Sequence, residues 1–280
     1  MTMTGERTSK LFIGGAWVDG TGSEELVVDN PATEEVVGRV PQASSKDVEI
    51  AIGEARRAFD EGPWPQMKPV ERSKILYAFA DLIAARKAEL MQLLIEEAGS
   101  TAMLADFLQV QTPLDHMYWW AERAATFPFE EPLPASTGMG LGQGVVRKEP
   151  AGVVAAITPF NFPLFLNLWK LGPALATGNT VVLKPSPYTP FSAFVLGDLL
   201  NEAGVPPGVV NIVTGDIAAG ETLTTHPDVD MVSFTGSDLV GRKILSQASD
   251  SLKKVILELG GKSANIICRG VNLDQVIMSA

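Results

Sequence analysis

Residues 151–184 read AGVVAAITPFNFPLFLNLWKLGPALATGNTVVLK. The first part, Ala151 to Trp169, is nearly free of charge and almost long enough to cross a bilayer. Pro159 and Pro163 interrupt it, with Asn161 between them. Val153–Ile157 is rich in β-branched residues, whereas Leu164–Trp169 suits a helix. The stretch therefore reads as a buried strand, a stiff turn and a buried helix, followed by a second strand at Thr180–Lys184, and not as a membrane span.

The same alternation continues downstream. Strands are expected at 153–157, 180–184, 209–213, 231–234 and 254–258, with helices at 162–176, 191–203, 218–225 and 238–248. Strands that alternate with helices favour a doubly wound parallel sheet in the α/β class. Such sheets bind ligands beyond the carboxyl ends of their strands, so the informative residues should follow each strand.

Upstream, Phe12-Ile13, Ala16–Val18, Leu26–Val28 and a stretch from Glu35 to Val40 read as short strands separated by glycine turns. Ser44 or Ser45 is placed to cap a helix whose apolar face is Val48, Ala51, Ile52, Ala55, Ala58 and Phe59. Further helices are expected from Pro69, from Lys87 to Ala98, and from Thr101 to Thr126. In the last of these, Tyr118-Trp119-Trp120 fits core or interface packing better than a stacking platform. The Pro- and Gly-rich stretch from Phe127 to Gly144 marks the clearest boundary, and Gly144–Lys148 reads as a strand leaving the main body.

Composition narrows the function. Apolar residues make up 46% of the 280, and the formal net charge is −11. A chain of this kind buries a sizeable core, and its acidic surface repels phosphate backbones, which argues against nucleic-acid binding. The single cysteine, Cys268, permits no intrachain disulfide, in keeping with a reducing, cytoplasmic setting. His116 and His226 lie in separate segments, so no zinc-type cluster is expected and no metal is assigned. The polar start, Met1 to Lys10, does not read as a secretory signal.

Four turns carry candidate chemistry. After the first strand comes Thr158-Pro159-Phe160-Asn161, where a fixed Asn161 amide either donates to a developing oxyanion or caps the next helix. Lys184 ends the second strand, placed to reach cofactor hydroxyls or phosphate or simply to sit at the surface. The fourth strand runs into Thr235-Gly236-Ser237 at a helix start, where Gly236 permits close backbone approach and free N–H groups favour an anion, unless Ser237 is only a cap. Glu258, followed by Leu259-Gly260-Gly261-Lys262, ends the fifth strand. Partial desolvation there would suit it to act as a general base; pairing with Lys262 is the alternative.

The order and spacing of Pro159–Pro163, Lys184-Pro185-Ser186, Phe234–Ser237 and Leu257–Lys262 resemble the aldehyde dehydrogenase superfamily. So do Phe12–Trp17 and Asn30-Pro31-Ala32-Thr33 near the start. The resemblance implies NAD- or NADP-dependent oxidation of an aldehyde to a carboxylic acid through a cysteine thioester. It implies Asn161 as oxyanion donor and Glu258 as general base. It places Lys184, with Ser186, at the adenosine ribose, Gly236 and Ser237 at the pyrophosphate, and Val240 on the adenine side. Thr158, Pro159 and Phe160 become a wall of the cofactor cleft, with Leu259 and Gly260 beside it. Phe162, Leu164, Phe165 and Trp169 are candidates for the substrate passage, with helix-core packing as an equal alternative.

The resemblance also implies a division of the chain: 1–128 as the N-terminal part of the cofactor domain, 129–150 as an oligomerisation arm, 151–261 as a Rossmann-like core, and 262–280 as the start of a catalytic domain. A homo-oligomer with a small aldehyde substrate is expected of the intact protein. The family's nucleophile lies in a Gly-Gln-x-Cys-type loop, which is not found before Ala280; Cys268, in the apolar run Ile266-Ile267-Cys268, is expected to be a buried strand cysteine. The chain thus reads as a fragment of an aldehyde-oxidising enzyme, or alternatively as a nucleotide-binding module without turnover. Pro187 stands where many NAD-preferring members carry a glutamate, which leaves the choice between NAD and NADP open.

Overall fold

The computed structural model describes residues 7–137 and 140–277. The N-terminal part opens with β1 (Arg7–Thr8), β2 (Leu11–Ile13), β3 (Ala16–Val18), β4 (Glu25–Asp29) and β5 (Val36–Pro41). β1, β5 and β4 form a small sheet in that order. β2 and β3 form a hairpin about Gly14 and Gly15, whose φ values of 62° and 81° suit glycine. The hairpin joins the main sheet, because β2 pairs antiparallel with a later strand through Ile212 and Phe12. The sequence pattern showed the strands but not this long-range partner.

Helix α1 (Ser45–Asp60) begins with a capping box: the Asp47 N–H donates to Ser44 Oγ at 3.2 Å and the Ser44 N–H donates to Asp47 Oδ2 at 2.8 Å. Burial works against the ionised Asp47 carboxyl, but hydrogen bonds from Thr21 and Ser44 outweigh it and hold the pKa below the ordinary carboxylate value. Replacing Ser44 by alanine is expected to cost about 1 kcal/mol in urea unfolding at neutral pH. Because the folded pKa of Asp47 is depressed, its contribution is present at neutral pH and lost as pH falls through that pKa. The gap between wild type and variant should therefore shrink in acid; a gap that does not change with pH would dissociate Asp47 from the cap.

Next come α2 (Pro69–Ala85) and α3 (Lys87–Ala98), the latter ending at Gly99 in the left-handed region, φ 63°. The single helix expected from Thr101 to Thr126 has three parts: α4 (Ala102–Leu104), a π-helical segment Ala105–Gln111, and α5 (Thr112–Thr126). Pro113 has no N–H with which to continue an i→i−4 ladder, and the preceding Thr112 N–H reaches back five residues to the Phe107 carbonyl. Tyr118 and Trp120 are half-buried against the core, and the Tyr118 hydroxyl donates to Asp81 at 2.7 Å; Trp119 stays exposed.

β6 (Glu130–Pro132) and β7 (Val145–Arg147) pair with each other in an exposed two-stranded arm. The chain then alternates through β8 (Val153–Ile157), α6 (Pro163–Ala176), β9 (Thr180–Lys184), α7 (Phe191–Glu202), β10 (Val210–Ile212), α8 (Ile217–Thr225), β11 (Met231–Thr235), α9 (Asp238–Ser249) and β12 (Lys254–Glu258). Strand order in the main sheet is β12-β11-β8-β9-β10-β2-β3, the first five parallel and the β2–β3 hairpin antiparallel. The doubly wound reading holds, with a mixed edge in place of a purely parallel sheet.

Period-two alternation distributes the buried residues over two cores. Val154, Ala156, Val181 and Leu183 join the core that contains Leu76, Leu168 and Phe194; Val153, Ala155 and Val182 join the one that contains Val48, Ile52 and Leu223. α7 has no side-chain cap of its own. Buried Glu97 of α3 serves instead, accepting from the Phe191 and Ser192 N–H groups at 2.7 and 3.0 Å. Burial pushes its carboxyl up to about 7 against those hydrogen bonds.

Among the described residues no helix is long and apolar enough to cross a membrane. The segment after β12 corrects one expectation: Cys268 is exposed and lies outside any strand, and Ile266 and Ile267 are exposed beside it. An apolar β-branched run becomes a buried strand only when a free sheet edge accepts its ladder, and no described strand pairs with this one.

Candidate functional site

The carboxyl ends of four neighbouring parallel strands form one row. Glu258 of β12 sits opposite Thr235 of β11, Phe234 opposite Ile157 of β8, and Ile157 opposite Lys184 of β9. At roughly 4.8 Å per strand, Glu258 and Lys184 lie about 15 Å apart along the row. The chain winds one way from β8 through β9 to β10 and the other way through β11 and β12, so the crevice between β8 and β11 is the topological switch point.

The turn after β8 is tied down at its start. The Thr158 N–H donates to the Lys184 carbonyl at 3.1 Å, and the Thr158 hydroxyl donates to Asn167 Oδ1 at 2.7 Å. Pro159 is half-buried, and the exposed Phe160 ring meets Tyr188 edge-on at 5.9 Å, bringing the turns after β8 and β9 together. Asn161 is exposed. The helix-capping alternative fails for it, because the N-cap of α6 is Phe162, without a side-chain hydrogen bond, and Pro163 occupies the first turn.

Lys184 is not a surface lysine. It is buried, and among the described residues its ammonium makes no hydrogen bond or ion pair. Burial pulls its pKa down to about 8, while Asp216 acts in the opposite direction. Ser186, also buried, accepts from the Tyr188 N–H at 3.3 Å. An unpartnered cation at the end of a sheet strand has the donor capacity that a sugar hydroxyl or phosphate oxygen requires.

Across the switch point, Ser237 does cap α9, its Oγ accepting from the Val240 N–H at 3.4 Å. Gly236 N–H donates to the Glu258 carbonyl at 3.0 Å, and Gly260 N–H donates to Asp238 Oδ1 at 3.1 Å, which joins the β11 and β12 turns. Val240 and Leu259 are part-exposed. Gly241 lets α9 approach: a Cβ there would sit 2.6 Å from Leu259 Cδ2. Glu258 departs from the expected partial desolvation. It is exposed at the end of a strand with a neighbour on one side only, and it has no ion pair with Lys262 among the described residues.

Sequence reasoning missed Lys170. This α6 lysine is buried, donates from Nζ to Ser233 Oγ at 3.0 Å, and has its pKa drawn down to about 8 by burial, with Glu258 opposing. A charged residue at a core-facing position of an otherwise apolar helix was the available signal. Of the four residues suggested for a substrate passage, Leu164 is fully buried in the main core and is withdrawn. Helix packing directs it inward, whereas Phe165 and Trp169 stack on each other at 5.2 Å and half-exposed Trp169 meets His116 at 5.1 Å.

Comparison with known proteins decides the family, since the sequence pattern described as the aldehyde dehydrogenase family matches residues 17–280. The chain belongs to the aldehyde dehydrogenase family. It is 42% identical over 274 residues to a protein from Bacillus subtilis described as putative aldehyde dehydrogenase DhaS, covering 98% of this chain and 54% of that one. It is 38% identical over 280 residues to human retinaldehyde dehydrogenase 3, covering 97% and 53% respectively. Among solved structures, a Mycobacterium tuberculosis aldehyde dehydrogenase complexed with NAD+ superposes with a TM-score of 0.93 at 42% identity, covering 98% of this chain and 56% of the other. A Pseudomonas syringae aldehyde dehydrogenase C variant, solved with NAD+ and octanal, superposes with a TM-score of 0.90 at 37% identity, covering 96% and 54%. The chain spans about half the length of the curated relatives it matches.

Proposed function

We propose that residues 1–280 build the nicotinamide-dinucleotide site of an enzyme that oxidises an aldehyde to a carboxylic acid through a cysteine thioester. The observation that carries this reading is the buried Lys184, whose ammonium has no hydrogen-bond or ion-pair partner among the described residues, in one row with the ends of β8, β11 and β12. Family membership supports it, as do relatives solved with NAD+.

In this reading Lys184 donates to the adenosine ribose, with Ser186 beside it. Gly236 and Ser237, at the positive end of α9, face the pyrophosphate. Val240 lies on the adenine side, Leu259 and Gly260 border the cleft, and Thr158, Pro159 and Phe160 wall it. The bound dinucleotide supplies a hydride acceptor. Asn161, free of a capping role, donates its amide to the oxyanion formed when a thiolate adds to the aldehyde, and the exposed Glu258 carboxylate takes a proton from the water that cleaves the thioester. Cys268 lies outside this row, so these 280 residues are proposed to bind the dinucleotide without oxidising aldehyde themselves. The exposed β6–β7 arm suits assembly into a homo-oligomer, and the division at 128, 150 and 261 separates arm and core in that scheme.

Separate titrations with NAD and NADP, read by tryptophan fluorescence, test the reading. Saturable binding of one or both is expected, and no binding of either would refute it. With Pro187 and not a carboxylate following Ser186, a 2′-phosphate meets no charge repulsion at that point, so NADP is expected to bind within tenfold of NAD. Lys184 makes a charge-assisted hydrogen bond only while protonated, and the neutral amine is a weaker donor; affinity should be full below about pH 8 and decline as pH rises through that value. An affinity constant between pH 7 and 9.5 would remove Lys184 from the site.

A further inference from the structure

Asn167 is fully buried on α6, six residues beyond Asn161. Its Oδ1 accepts the Thr158 hydroxyl at 2.7 Å, while its Nδ2 has no partner among the described residues. Thr158 in turn donates its N–H to the Lys184 carbonyl at 3.1 Å. Buried amides with an unsatisfied group are costly, and a leucine would fill the position without that penalty. The arrangement is thus a polar link in a place where packing alone calls for none. It runs from α6 through Thr158 to the backbone of Lys184, and it fixes the point from which the Thr158–Asn161 turn departs.

We propose that Asn167 is a positioning residue for the dinucleotide site, holding the Thr158 hydroxyl so that the β8 turn and the β9 end stay in register around the cleft. It touches neither cofactor nor substrate and acts through Thr158. The proposal rests on the cofactor reading of this site. Among the described residues no other side chain of the turn makes a buried hydrogen bond: Pro159 donates none, and Phe160 and Asn161 are exposed. Without the acceptor, the Thr158 hydroxyl is free to rotate, and the turn loses its one buried side-chain anchor among the described residues.

The test is NAD and NADP affinity of the full chain and three variants, each checked for fold by circular dichroism. Asn167→Leu, which keeps the volume and removes the acceptor, should weaken binding at least fivefold. Asn167→Asp, which keeps an acceptor oxygen at the same place, should stay within about twofold of wild type, a rescue that a general packing role would not give. Thr158→Val should weaken binding to the same extent as Asn167→Leu, and the double variant should be no worse than either single one. Equal affinity for wild type and Asn167→Leu, additive losses in the double variant, or failure of Asn167→Asp to rescue would each overturn the proposal. If Asn167→Leu does not fold, Thr158→Val against Asn167→Asp decides: a loss in the first with retention in the second supports the link, and any other pairing ends it. Wild type that binds neither dinucleotide would remove the cofactor reading and this inference together, whereas wild-type binding with indifferent variants removes only the inference.

Discussion

Gly152→Ala is expected to destabilise the fold by roughly 3–5 kcal/mol, the sum of backbone strain and displaced hydrogen bonds. Gly152 stands directly before β8 with φ at 126°, a conformation that costs an L side chain about 1–3 kcal/mol. A Cβ at this position would fall on Asp230 Oδ2. That oxygen accepts from the Val153 N–H at 2.7 Å and pairs with Arg56, which also donates to the Asp228 carbonyl at 3.4 Å and to Asp60 at 3.1 Å. Moving Asp230 aside therefore opens several bonds that hold the start of β8 against α1 and β11. Denaturant midpoints would measure the loss. Gly53→Ala is the control: it lies inside α1 with open space around it, and it should gain about 0.5–1 kcal/mol from helix propensity. A loss below 1 kcal/mol for Gly152→Ala would show that Asp230 swings away freely.

Lys184→Met should weaken dinucleotide binding by about ten- to a hundredfold, the value of one charge-assisted hydrogen bond or two at about 1.4 kcal/mol per factor of ten. Methionine keeps the apolar stem and removes the donor. Without ligand, the same change should not lower stability at pH 7, because the lysine is largely desolvated and, among the described residues, its ammonium has no hydrogen-bond or ion-pair partner to offset that. The sign follows from the lowered pKa. A lysine that titrates near 8 in the folded state and near 10.5 when unfolded burdens the fold below pH 8, and the burden is relieved between the two values. Wild-type stability relative to Lys184→Met should rise across that window. Thermal melts from pH 7 to 10 check this, and a flat difference would mean that the ammonium finds water in the folded protein.

The parallel core was legible because its central strands, β8, β9 and β10, are buried on both faces and all five are bounded by turns. Val153–Ile157, Thr180–Lys184 and Lys254–Glu258 fall where their β-branched runs begin and end. What escaped were relations between distant segments. No local pattern tells Leu11–Ile13 that its partner is β10, or tells Glu97 that it caps α7 from another helix. The helix expected as one rod from Thr101 to Thr126 contains Pro113, and only the three-dimensional ladder shows the π segment that precedes it. In the site, the residue types after each strand were readable, but their surroundings were not. Burial of Lys184, exposure of Glu258 and the open side of Asn161 each depend on neighbours contributed by other turns. Cys268 shows the converse error, since an apolar sequence around it suggested a strand that has no partner to pair with.

The hairpin at the sheet edge carries a temporal consequence. Phe12 meets Ile212, two hundred residues later in the chain, and Trp17 rests on Phe194 at 5.7 Å. On a ribosome adding 5–20 residues per second, this apolar segment waits about 10–40 s for the surface that will cover it. During that interval Leu11, Phe12 and Ile13 are a natural docking point for chaperones, and the wait sets an early vulnerability to misassembly that the finished molecule no longer displays.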